Sequence, residues 1–200
     1  MTELNNDSAA ERATLAILYA ETRGFTRMSE ILEPQVVLER VAEFFAFVAA
    51  AVERHGGTVR SLLNDNLVAT FAGPANAPNA VKAAQEIQRD FAAIEVAWER
   101  DYSFRTAVAM GLHYGDAVIG QLKSPLPAQM LIIGDGLSIA ERLLHRARAG
   151  ELVVSKAVMV MLQSAGVSLE VEPLPDLTIP RREPIPLYGV LLDTRLDFTD

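Results

Sequence analysis

Thr14-Leu15-Ala16-Ile17-Leu18-Tyr19-Ala20 is an unbroken apolar run. Its length and its β-branched and aromatic content suit a strand buried on both faces. Charge and glycine break the pattern at Glu21-Thr22-Arg23-Gly24. From Pro34 the period changes. Val37, Val41, Phe44, Phe45, Val48 and Val52 recur at three- and four-residue steps, predicting an amphipathic helix that His55-Gly56-Gly57 closes. Thr58 to Leu63 and Leu67 to Phe71 read as short strands joined by Asn64-Asp65-Asn66, residues that tolerate positive φ in a hairpin turn.

A loop over Gly73 to Pro78 precedes a second helix with Ala80, Ala84, Ile87, Phe91 and Ile94 on one face. Arg105 to Tyr114 alternates as a strand, and Gly115-Asp116 reads as a turn into Ala117 to Gly120. A proline-containing loop, Ser124 to Ala128, leads to the strand Met130 to Ile133 and then to a helix through Ile139, Leu143 and Leu144. Leu152 to Val154 is the next strand and Lys156 to Gln163 the next helix; edge strands follow at Ser168 to Val171 and Leu187 to Leu192. The order β-α-β-β-α-β with later βαβ additions predicts an α+β fold, a ferredoxin-like split βαβ sandwich with helices mainly on one face. Residues 1–12 read as a polar lead, 13–192 as the domain and 193–200 as an acidic tail.

Half of the 200 residues are hydrophobic, enough for a sizeable core and too many for a disordered chain. The net charge of -8, with no Lys/Arg tract, excludes a surface built for phosphate backbones, so no nucleic acid is expected as a partner. The absence of cysteine removes disulfides, cysteine zinc sites and cysteine nucleophiles. No run approaches the roughly 18 apolar residues of a membrane span, and the polar start is unlike a secretory leader. A cytoplasmic domain without membrane contact is the expectation. The sequence also lacks the G-x(4)-G-K-[ST] phosphate loop and the G-x-S-x-G nucleophile elbow.

Several phrases, in order, resemble the catalytic domain of class III adenylate/guanylate cyclases. Tyr19-Ala20-Glu21-Thr22-Arg23-Gly24-Phe25-Thr26 is similar to that family's F-A-D-I-R-G-F-T. His55-Gly56-Gly57-Thr58-Val59 with Asn64-Asp65 resembles its H-G-G-x-V-x-K-x-x-G-D hairpin, and Gly111-Leu112-His113-Tyr114-Gly115 its G-I-H-x-G. Ile133-Gly134-Asp135-Gly136-Leu137-Ser138-Ile139-Ala140-Glu141-Arg142-Leu143 resembles I-G-D-x-V-N-x-A-x-R-L, and Gly150 to Ser155 resembles G-E-I-x-V-S. The resemblance implies the cyclase-type version of the split βαβ sandwich, working as a homodimer or as a heterodimer with another cyclase-type domain.

Carried over position by position, it also implies a site. Glu21, where the family has Asp, and Asp65 would hold Mg2+ or Mn2+. The segment Thr22, Arg23, Gly24, Phe25 and Thr26 would cradle nucleotide phosphates. Ser61 stands where the family has its purine-reading Lys, and Leu131 where it has the Asp or Thr partner. Ser138 replaces the ribose-orienting Asn, while Arg142 retains the transition-state Arg. Ile179-Pro180 occupies the place of a Lys-Gly, with Arg181 and Arg182 the nearby cations.

These departures bear on rate. A carboxylate displaced by about an ångström costs on the order of 100-fold, and one lost transition-state donor about 100- to 1,000-fold. The expectation is an impaired cyclase homology domain acting in signalling as a dimeric nucleotide-binding or interaction module. The alternative is an active divergent cyclase, alone or as the metal-donating half of a heterodimer. Without the resemblance, Asp65 is simply a turn residue, Glu21 a loop carboxylate and His113 a hydrogen-bonded structural histidine.

Overall fold

The computed structural model describes residues 10–122 and 129–190. In chain order the elements are β1 (Glu11–Arg23), α1 (Phe25–Ile31), α2 (Pro34–Arg54), β2 (Thr58–Leu63), β3 (Asn66–Phe71), α3 (Asn76–Asp90), α4 (Ala92–Tyr102), β4 (Ala107–Leu122), β5 (Gln129–Ile133), α5 (Asp135–Leu144), β6 (Leu152–Ser155), α6 (Lys156–Ser164), β7 (Glu172–Leu177) and β8 (Ile185–Val190). One sheet runs in the order β2-β3-β1-β4-β6-β8-β7, with β5 paired to β4 off that path. Its first half, β2-β3-β1-β4, is the expected split βαβ arrangement.

Strand alternation divides the core. Ala16, Leu18 and Ala20 of β1 face the layer built by α2, α3 and α6, where Phe44, Val48, Ala84, Ile87 and Leu162 are buried. The other face is covered by α5, whose Ile139, Leu143 and Leu144 pack on Ala109, Val153 and Leu187.

Several elements differ from the sequence reading. β1 does not stop at Ala20: Thr22 and Arg23 stay in the ladder opposite Val108 and Ala107, and the strand reaches back to Glu11. β4 is one continuous strand, since Gly115 and Asp116 pair with Leu15 and Thr14 rather than turning. The second helical pattern splits at Phe91 into α3 and α4, and the short helix α1 was not foreseen. No strand forms at Ser168 to Val171. β7 follows it, with Pro173 and Pro175 tolerated because the strand is at the sheet edge. The predicted loop Ser124 to Ala128, most of the polar lead and the acidic tail lie outside the described residues. Among the described residues, no helix is long and apolar enough to cross a membrane.

Candidate functional site

Glu21 pairs in register with Asn66, so Asp65, in the turn just before β3, stands beside the end of β1. Asn64 supplies the left-handed residue of that turn at φ 54°. Glu21 is buried, and Asp65 is partly so. Burial pushes the Glu21 carboxyl above its ordinary range, against the Arg23 charge, and the negative charge of Asp65 adds to the rise. Burial also raises Asp65. Arg23 forms an ion pair with Glu21, and its positive charge partly offsets the cost of burying the Glu21 carboxylate.

The segment after Glu21 divides by direction. Thr22 points to the opposite face of the strand from Glu21, where it is buried and its Oγ1 finds no hydrogen-bond partner. Gly24 adopts φ 89°, and a side chain there would strike Phe104 within 2.8 Å. Phe25 and Thr26 open α1. The five residues assigned to phosphate binding are therefore a strand end, a left-handed corner and a helix start.

Ser61 is exposed on β2, directly after a register shift at Arg60; such a bulge re-aims the side chain that follows it. β5 lies against β2. Leu131 of β5 is 36% exposed, and Leu62, Leu63 and Ile133 on the same two strands are exposed as well. Ser138 and Arg142 are both exposed one turn apart on α5. At the start of α5, Asp135 accepts from Arg182 at 2.5 Å. The structure thus sets Glu21 beside Asp65 and places Ser138 and Arg142 one turn apart on α5, while Ser61 and Leu131 lie on two strands, β2 and β5, that approach each other without pairing.

Sequence reasoning missed the role of Arg23 as partner of Glu21. The signal was present, since residues two apart on a strand share a face. It also left out Tyr19, on the same face as Glu21, whose phenol is pushed up to about 12 by burial and by the charge of Glu141.

Among the described residues, no group of three or more His, Asp or Glu side chains gathers to hold a metal. Two adjacent carboxylates nevertheless suit Mg2+, which is usually held by one or two carboxylates plus substrate phosphates rather than by an all-protein cage. Glu21 and Asp65 are of the donor type that a hard divalent cation takes.

The sheet is of the split βαβ type, with Glu21 and Asp65 where β1 meets the β2–β3 turn and, among the described residues, α5 on the face opposite α2, α3 and α6. Residues 8–189 match the family model of the adenylate and guanylate cyclase catalytic domain, and the chain belongs to that family. It is 28% identical over 141 residues to an adenylate cyclase of Anabaena cylindrica, an alignment spanning 68% of this chain and 28% of that protein. The chain therefore covers well under half of that relative's length. Its fold resembles that of the adenylyl cyclase CyaB from P. aeruginosa, with a TM-score of 0.83 at 20% identity, covering 95% of this chain and 99% of that one. It also resembles the non-canonical dimeric guanylyl cyclase domain of the RhoGC fusion protein from Blastocladiella emersonii, with a TM-score of 0.77 at 17% identity over 90% of this chain and 98% of that one.

Proposed function

We propose that this domain is a catalytically impaired class III cyclase homology domain. It acts in cytoplasmic, cyclic-nucleotide-type signalling as a dimeric module that binds a nucleotide or a cyclase-type partner. The observation that carries this reading is the surface shared by β2 and β5. Where the family sets a polar purine-reading pair, this chain exposes Ser61 and Leu131 among Leu62, Leu63 and Ile133. A purine edge meeting that surface leaves polar atoms without partners, at about 1–3 kcal/mol each.

The remaining chemistry belongs to Glu21 and Asp65, which would hold the divalent cation. That cation's contribution is to neutralise a triphosphate and activate the ribose hydroxyl. Arg142, exposed on α5, retains the type of charge that stabilises a phosphoryl transition state. Ser138 is too short to span the reach of an Asn carboxamide.

The pairing of Glu21 with Asp65 favours a second reading. The chain would then be the metal-donating half of a heterodimer, whose partner supplies the base-reading and ribose-orienting groups, or a divergent active cyclase.

Two measurements on the purified chain separate these readings. The first is thermal stabilisation by ATP, GTP and their cyclic products, with and without Mn2+; only binding to the native state raises stability. The second is production of cyclic nucleotide. Steady turnover by the protein alone would overturn the impaired reading, and turnover only after adding an intact cyclase domain would select the heterodimer.

A further inference from the structure

Arg23 is two residues beyond Glu21 on the same face of β1, and its guanidinium is held on more than one side. Nη1 donates to Oε1 of Glu21. Nη2 donates to the carbonyl of Leu144 at 3.0 Å and to that of Ala147 at 2.6 Å. Those carbonyls lie at the end of α5 and just past it, where backbone acceptors lack partners within the helix. The side chain cannot swing away from Glu21 without also abandoning the end of α5. Its charge reaches Asp65 as well. One fixed cation therefore cancels half of the combined charge of the two carboxylates. The affinity of an oxygen-ligand site for a hard cation follows the charge of its ligands and the rigidity of the site.

We propose that Arg23 is a built-in counter-ion that keeps Glu21 and Asp65 from taking up a divalent cation alone, so that the cation enters only with a polyphosphate. This rests on the reading of Glu21 and Asp65 as the cation site. It assigns Arg23 a positioning role on the carboxylate, in place of a direct phosphate contact.

The test is titration of the full chain with Mn2+ alone, followed by the loss of the free-ion electron paramagnetic resonance signal. Arg23→Gln removes the charge and is expected to bind Mn2+ roughly tenfold more tightly than the unaltered chain. Arg23→Lys keeps the charge and is expected to stay close to it. Adding Asp65→Asn to Arg23→Gln should abolish the gain. Should the glutamine variant misfold, Arg23→Met, which keeps most of the aliphatic stem, carries the same comparison. Equal or weaker binding by the charge-free variant overturns the inference alone, as does a lysine variant as tight as the glutamine one. Failure of every variant to bind Mn2+ overturns the cation site, and the inference with it.

Discussion

A Cβ on Gly111 would stand 2.3 Å from the backbone nitrogen of Leu144 and 2.5 Å from the carbonyl oxygen of Ala140, so β4 and α5 meet backbone to backbone. Both contacts are main chain and neither can rotate away. Gly111→Ala should therefore lift α5 from the sheet and cost about 1–3 kcal/mol, as overpacking does in a tight core. Denaturant unfolding measures the loss. An unchanged midpoint would mean that the helix floats on the sheet.

Burial pushes the Glu95 carboxyl up from 4.5 to about 6. A raised carboxylate favours the fold fully below its unfolded pKa, and that contribution disappears as pH climbs through the folded one. Glu95→Gln removes the penalty of charging the group. Discounted for its partial exposure, the variant should gain about 1 kcal/mol at pH 7.5 and nothing at pH 4. Thermal melts at the two pH values test the difference.

Burial drives the His113 imidazole down to about 4, against the opposing charge of Asp135, and its Nδ1 lies 2.8 Å from Ser155 Oγ. Between pH 6.5 and 4 the unfolded chain takes a proton that the folded one refuses, so stability falls as pH falls. The cost at pH 5 is about 2 kcal/mol. His113→Gln should flatten stability between pH 7 and 5 while lowering it at neutral pH, which denaturation series at each pH would resolve.

The order of strands was legible because burial imposes its period directly on β1 and α2. Other features depend on partners distant in sequence. Thr22 and Arg23 look like the break after a strand until Val108 and Ala107 stand opposite them and keep them in β1. Gly115 and Asp116 look like a turn until the long β1 pairs with them. β7 carries Pro173 and Pro175, and nothing local in the sequence says that it lies at a sheet edge, where a strand tolerates them. At the site, the residue types at Glu21, Asp65, Ser61 and Leu131 were readable by resemblance, and the fold puts the first two side by side. The grip of Arg23 on Leu144 and Ala147 was not readable, since it joins positions far apart along the chain.

If the surface of β2 and β5 is what blocks nucleotide recognition, restoring polarity there should restore binding before it restores rate. Ser61→Lys with Leu131→Asp returns a donor and an acceptor to strands that already approach each other. Leu131 is 36% exposed, so an aspartate there keeps contact with water and need not destabilise the fold. Each recovered hydrogen bond to a charged group is worth about 1.5–3 kcal/mol. The double variant should therefore show a larger rise in melting temperature with ATP and Mn2+ than the parent chain, and Ser61→Lys alone a smaller one. Cyclic product should stay low, because Ser138 and the longer Glu21 carboxylate remain. Adding Ser138→Asn and Glu21→Asp should then raise turnover above that of the double variant. An unchanged ATP-dependent melting shift in the double variant would show that β2 and β5 do not decide recognition.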